Sequence, residues 1–301
     1  MNILFVFCAM AVAPAQIEPT SQIDEEYSAF HDDVRNNWNE NLSMFFGLDG
    51  SKQPQDLGVN AHMGARAHIN FSVPLHEELS IGMQLGSGVN YHDFAVGAVE
   101  ALQGTGERFQ SFTTVGVFQR GDGRWKWGFA YDFLAENYYE GINLGQWRGT
   151  VAHELSDSDD FGVWFTVSDH GDSATFLGTP LSLEPISQVN AYWRHSWERG
   201  AETSIWVGAA EPHGEELILF PVADPTGVQL VYGADIHVPL NDRLAIFGEA
   251  NFITPSDSGT VDAYLGVVYY PGGNAQSGRS RRFAPMLPVA NNPTFSVDLR
   301  R

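Results

Sequence analysis

The stretch Val59-Asn60-Ala61-His62-Met63-Gly64-Ala65-Arg66-Ala67-His68-Ile69-Asn70-Phe71-Ser72-Val73 alternates without a break between two kinds of side chain. Every odd position is apolar, and every even position is polar or glycine. Successive side chains on a β-strand point to opposite faces, so this segment is a strand with one apolar and one polar face. The next segment repeats the pattern, with Leu79, Ile81, Met83, Leu85 and Val89 set against Ser80, Gly82, Gln84, Gly86 and Asn90. From Arg124 onward, Trp125, Trp127, Phe129, Tyr131 and Phe133 alternate with Lys126, Gly128 and Asp132.

Similar segments follow at 142–155, 160–168, 185–197, 201–210, 227–239, 243–253 and 260–271, with a less regular one at 108–120, where Phe112 and Phe118 break the alternation. Most run ten to fourteen residues. Globular strands usually run about five or six residues, whereas a tilted membrane-spanning strand needs about nine to eleven. Short connections at 74–78, 121–123, 156–159, 198–200 and 239–242 alternate with longer ones at 91–107, 137–141, 170–184, 211–226 and 254–259. Outer-membrane barrels pair tight periplasmic turns with longer external loops in this way. If the turn after residue 73 is periplasmic, a further strand must precede 59–73. Leu42, Met44, Phe46 and Leu48 supply it. The fold expected is therefore all-β, a single antiparallel up-and-down transmembrane β-barrel of about twelve strands, with both chain termini periplasmic.

Composition is consistent with this and excludes other classes. The 301 residues carry a formal charge of −21, which removes the basic footprint that nucleic-acid binding needs. Mean hydropathy is −0.19, and past the N-terminus there is no apolar run long enough for a membrane helix. The 31 glycines and 13% aromatic residues favour strands and turns. Residues 1–15 read as a signal peptide: 3–12 are apolar, and Ala13-Pro14-Ala15 is a small-x-small cleavage pattern. The only cysteine, Cys8, falls within it, so the mature chain is expected to have no disulfide or thiolate chemistry. Residues 16–40 form an acidic N-terminal segment, either one short helix ending near Trp38 or disordered chain. The barrel is expected over 41–271, and a basic periplasmic tail over 272–301.

A soluble sandwich alternates too, with its apolar face buried. Strand length, aromatic residues near strand ends and mid-strand charges on the polar face favour the membrane arrangement. In that arrangement His62, Arg66, Gln84, Lys126, Asp132, Arg148, Glu154, Arg194, Glu202, Asp235 and Glu249 face the lumen, and Trp125, Trp127, Trp193, Trp197 and Tyr269 form an interfacial aromatic girdle. Localisation in the cell outer membrane follows. The expected partners are outer-membrane lipid, the barrel-assembly machinery and small hydrophilic solutes or ions.

Further stretches carry a resemblance. Phe46-Gly47-Leu48-Asp49-Gly50-Ser51-Lys52-Gln53-Pro54, Leu144-Gly145-Gln146-Trp147-Arg148-Gly149, Glu249-Ala250-Asn251-Phe252-Ile253-Thr254-Pro255 and Phe283-Ala284-Pro285-Met286-Leu287-Pro288-Val289-Ala290-Asn291-Asn292 are among them. In these the chain resembles an uncharacterised family of secreted, outer-membrane β-proteins from planctomycete bacteria. The likeness covers roughly residues 45 to 300 and carries over no catalytic residue. The chain ends Asp298-Leu299-Arg300-Arg301 and not on an aromatic strand end, so the expected insertion signal is internal, at Gly266 with Tyr269.

No motif points to an enzyme, a cofactor or a metal. His62 and His68 share a face, but their separation is roughly 20 Å, too far for one metal. Ser168-Asp169-His170 holds a nucleophile and a base, yet neighbours in a strand do not converge as catalysis requires. The acidic clusters at 157–160 and 211–216 lack calcium-loop spacing. The tail residues Arg279, Arg281 and Arg282 can either fold into the lumen against Glu154, Glu202 or Glu249, or meet an anionic envelope polymer. The function expected is a porin-like passive channel or structural envelope barrel with mild cation preference, from acidic excess on the lumen face. The alternatives are a soluble carbohydrate- or partner-binding β-protein and an outer-membrane hydrolase.

Overall fold

Strict alternation over ten or more residues calls for long strands, and the computed structural model contains them. It describes residues 38–56, 60–96, 107–121, 124–138, 140–176, 178–212, 227–254, 259–277 and 279–300. The signal peptide and most of the acidic segment expected at 16–40 lie outside the described residues.

In chain order the strands are β1 (Leu42–Lys52), β2 (Ala61–His76), β3 (Ile81–Val96), β4 (Arg108–Arg120), β5 (Trp125–Asn137), β6 (Gly141–Glu154), β7 (Asp159–His170), β8 (Asp172–Phe176), β9 (Thr179–Pro185), β10 (Gln188–Ser196), β11 (Glu202–Ala210), β12 (Gln229–Pro239), β13 (Leu244–Ile253), β14 (Val261–Tyr269) and β15 (Val297–Arg300). β1 to β7 and β10 to β14 form a closed antiparallel barrel, each paired with its neighbour in the chain once β8 and β9 are set aside. β1 closes the ring on β14, in a register running from Met44↔Tyr269 to Lys52↔Val261. The twelve expected strands are thus all present, the first extended to Lys52 and the one expected at 185–197 starting at Gln188.

The turns at 77–80, 155–158, 197–201 and 240–243, with the strand ends at Arg120 and Trp125, gather at one end, the short-turn end, and the opposite strand ends mark the other, the long-loop end. The connection expected as an external loop at 170–184 is instead folded: β8 and β9 pair there and β15 adds to β9, making a separate three-stranded sheet. These strands are too short for their alternation to be read. Their apolar residues Ala174, Leu181, Leu183, Val297 and Leu299 are buried together with residues of β4, β5 and β6.

The barrel is apolar outside and polar inside. Outward-facing Phe46 is 68% exposed and Leu265 58%, whereas inward-facing Gln84, Asp132 and Gln146 are fully buried. Trp125, Trp193, Trp197 and Tyr269 stand exposed near the short-turn end, and Tyr91, Phe109, Phe133 and Tyr232 toward the long-loop end. Trp127 is half-buried and donates to Gln119 Oε1 at 2.6 Å.

Val115, 49% exposed midway along β4, gives a test of what this outer face meets. Val115→Arg should lower the unfolding free energy in a bilayer by about 2–4 kcal/mol. On a water-facing surface the same change would cost under about 0.5 kcal/mol. Urea titration of both proteins in lipid vesicles measures the difference.

Candidate functional site

The lumen holds the chain's own C-terminal segment. After β14 the chain turns at the short-turn end, where Ala275 N–H donates to Asp242 O at 2.8 Å. It then runs the length of the barrel to pair as β15 with β9. Irregular backbone away from water needs hydrogen-bond partners, and the strands' inward side chains provide them. Gln84 Oε1 accepts from the N–H groups of both Met286 and Leu287 at 3.0 Å. Gln84 Nε2 and Asn70 Nδ2 donate to Leu287 O at 2.9 and 3.0 Å. Arg148 donates to Pro288 O at 2.7 Å, Ala290 N–H to Thr114 Oγ1 at 2.9 Å, and Gln146 to Thr294 O at 2.8 Å. Close approach also requires small wall residues: a Cβ on Gly86 would lie 2.6 Å from Val289 Cγ2, and one on Gly128 3.2 Å from Leu287 Cδ1.

Above this grip the tail and the wall share an apolar cluster. Phe112, Leu134, Ile142 and Leu144 of the wall pack with Val289, Phe295, Val297 and Leu299 of the tail, all at most 2% exposed. The break that Phe112 makes in the β4 alternation is therefore a contact with the tail, its ring edge-on to Phe295 at 6.1 Å. Phe118 likewise turns inward and lies over Gly82.

A buried polar network joins this cluster to the long-loop end. Arg108 Nε lies 2.6 Å from Glu136 Oε1, His62 Nε2 2.9 Å from Asp56, and His92 Nε2 2.7 Å from Asp49. Asn292 Nδ2 donates to Asp49 at 3.1 Å, and Gln53 Oε1 accepts from Val297 N–H at 3.1 Å. Burial alone would raise the Asp56 carboxyl, but His62 and Arg108 beside it outweigh burial and hold it below its ordinary value.

Below the grip lies a cavity of about 520 Å³ that reaches the short turns at Gly121 and Ser156 to Ser158, and we call it the vestibule. Lys126 pairs there with Glu154 at 2.5 Å and with Asp160 at 3.4 Å. Arg279 of the tail pairs with Glu202 at 3.4 Å and Asp235 at 3.2 Å. Burial opposes the charge on Arg279, but these two carboxylates hold it firmly protonated.

The polar residues singled out in the sequence thus fall into three places. His62 belongs to the long-loop network, and nearby Arg66 lies over the Tyr264 ring at 4.3 Å with Asp49 at 4.0 Å. Gln84, Asp132 and Arg148 surround the tail, with Arg148 Nε 2.8 Å from Asp132, while Glu249 accepts from Tyr264 Oη at 2.6 Å and from Asn291 at 3.3 Å. Lys126, Glu154, Arg194, Glu202 and Asp235 line the vestibule. Sequence reading passed over Asp49, Asp56, His92, Arg108 and Glu136. Asp49 lay in a quoted motif, and Arg108 and Glu136 are cross-strand neighbours on one face, a pattern visible once the β4 to β5 register is known. Of the two arrangements expected for the basic segment at 272–301, its described residues take the one inside the barrel, with Arg279 on Glu202, because its backbone and apolar side chains find partners there.

Other candidates stay apart. Asp169 accepts from Tyr131 and Trp147, while His170 is exposed and makes no hydrogen bond to Ser168 among the described residues. Asp159 of the 157–160 cluster accepts from Ser156, Ser158 and Trp193. In the 211–216 cluster, Glu211 accepts from Ser187 N–H, and 213–216 lie outside the described residues.

Two outcomes are expected. A Cβ on Gly86 would stand 3.4 Å from Val289 Cβ, close to disulfide spacing. Gly86→Cys with Val289→Cys, in a Cys8→Ser background, should therefore oxidise within the folded protein, read as the loss of two titratable thiols. Because the folded-state pKa of Asp56 is depressed, its contribution to stability is complete above about pH 4 and is lost as pH falls through that range. Thermal unfolding against pH should show that acid-dependent loss in the wild type and a smaller one in Asp56→Asn.

Comparison with known proteins adds a family and distant folds. No curated protein matches the chain. Among solved structures, the NanC porin is similar at 8% identity and TM-score 0.45, over 75% of this chain and 98% of that one. The KdgM porin in complex with disordered oligogalacturonate follows at 5% and 0.43, over 75% and 98%. Outer membrane phospholipase A from Escherichia coli stands at 6% and 0.42, over 75% and 89%. Likenesses this distant say nothing about cargo or chemistry. A family profile matches residues 41–297, all of the barrel and nearly all of its tail, and the chain belongs to that family, the family of unknown function DUF6666.

Proposed function

We propose that the chain is an outer-membrane envelope barrel kept closed by its own C-terminal segment, with conduction dependent on that segment moving. The observation that carries this reading is the C-terminal segment held inside the ring, hydrogen-bonded to inward side chains and packed through Phe295 and Leu299 against Phe112, Leu134, Ile142 and Leu144. The outer-membrane setting is supported by the exposed apolar band around a polar interior, since soluble monomers rarely expose contiguous apolar surface on that scale. Outer-membrane lipid and the barrel-assembly machinery are the partners this setting requires, with β14 and its terminal Tyr269 as the closing strand. The reading is non-enzymatic, supported by the separation of Ser168 from His170; labelling by a serine-directed covalent probe would instead favour a hydrolase.

Solute and ion preference depend on the tail. With it seated, Arg279 neutralises Glu202 and Asp235. Without it, Glu202 and Asp235 lose that cation, and the lumen's fixed charge shifts toward the sign that favours cations. The test is single-channel recording in planar bilayers. The full-length protein should be closed or nearly so, and the protein lacking 275–301 should conduct with mild cation preference. A full-length protein that conducts equally with the Gly86→Cys/Val289→Cys disulfide formed would overturn the closed reading. Release of the protein by alkaline carbonate would favour the soluble alternative.

A further inference from the structure

Six cationic and six carboxylate side chains line the vestibule, and they are unevenly paired. Arg66, Arg108, Arg148 and Arg279 each have a carboxylate oxygen within 4.0 Å. Among the described residues Arg120 and Arg194 have none. Arg120 donates to the main-chain oxygens of Arg279 and Pro285, the latter at 3.2 Å, and its buried Nε has no partner. Arg194 donates from Nε to Ser204 at 3.2 Å, leaving its Nη groups unengaged. Both residues, with Arg279, line the vestibule and also a smaller cavity of about 80 Å³ beside it. The three guanidiniums therefore meet at the neck between the two spaces.

The carboxylates that face this neck are already engaged. Glu202 and Asp235 pair with Arg279, Glu154 and Asp160 pair with Lys126, and Glu249 accepts from Tyr264 and Asn291. Asp157 stands exposed in its turn at the rim. Arg120 and Arg194 therefore present guanidinium donors at the neck that no carboxylate within 4.0 Å occupies. Guanidinium donors suit carboxylate and phosphate oxygens, often two at once. On the same wall as Arg194, whose guanidinium lies 5.6 Å from the Tyr192 ring, Trp164, Tyr192 and Trp206 supply aromatic surface, with the two indoles edge-on at 6.1 Å. A volume of about 520 Å³ lies within the ordinary range for small-molecule sites.

We propose that the neck formed by Arg120, Arg194 and Arg279 binds the carboxylate or phosphate group of a small organic anion whose ring or apolar body lies against Trp164, Tyr192 and Trp206. The site rests on the tail-seated barrel, because the tail supplies Arg279. Tryptophan fluorescence of the full chain in detergent, titrated with benzoate, phenyl phosphate, benzyl alcohol and benzylamine, tests it. Benzoate, phenyl phosphate or both should bind saturably, the better one naming the anionic group, and the neutral and cationic probes should not. Arg194→Gln should weaken binding about tenfold, the loss expected for one charge-assisted hydrogen bond. Arg194→Lys should weaken it less, and Arg243→Gln, an exposed turn residue outside both cavities, should leave it unchanged. Benzylamine binding as tightly as the anions, or wild-type affinity in both Arg194→Gln and Arg120→Gln, would overturn the site. Phenyl phosphate bound by a full-length protein that nonetheless conducts with the disulfide formed would overturn the closed barrel and leave the site standing.

Discussion

The structure depends on one constraint: polar groups turned into a closed ring of strands must find partners there. Closing twelve strands satisfies every interior backbone pair and leaves no edge. With the apolar faces outside, Gln84, Asn70, Thr114, Gln146 and Arg148 must point inward, each costly to bury without a hydrogen bond. The returning C-terminal segment answers that need. Its carbonyls at Leu287, Pro288 and Thr294 and its N–H groups at Met286, Leu287 and Ala290 are what those side chains bind. Wall and tail thus satisfy one another's polar groups, and without the tail water must take its place at Gln84 and Asn70.

The same segment divides the lumen into unlike halves. Toward the long loops, apolar tail residues meet apolar wall residues and the β8–β9–β15 sheet, and a charged network fixes that sheet's neighbourhood through Gln53 and Asn292. Toward the short turns the tail is polar and basic, and space remains around it. The change in polarity along the tail therefore sets which part of the lumen is packed and which part keeps a cavity. A buried ion pair adds little net stability but is costly to break from one side. The pairs of Arg279 with Glu202 and Asp235 accordingly act more to fix where the tail sits than to hold it tightly.

Much of this was legible before any coordinates. Alternation from residue 59 to 73, repeated along the chain, located all twelve barrel strands, and the rhythm of short and long connections predicted the parity. What escaped notice were the exceptions. Phe112 and Phe118 read as irregularity, and Leu134, Ile142 and Leu144 passed without comment on a polar face, although all five are buried inward. β8, β9 and β15 are short and covered on one side by the barrel wall, so they lack a readable period.

The sequence by itself determined the twelve barrel strands and their faces, because backbone geometry imposes a period of two that neighbouring residues display. The tertiary structure alone decided what fills the ring. The bonds from Gln84 to Leu287 join residues 203 apart in the chain. Those from Gln53 to Val297 join residues 244 apart. A contact of that range depends on the ring being closed at a particular register, and no local pattern of side chains encodes it.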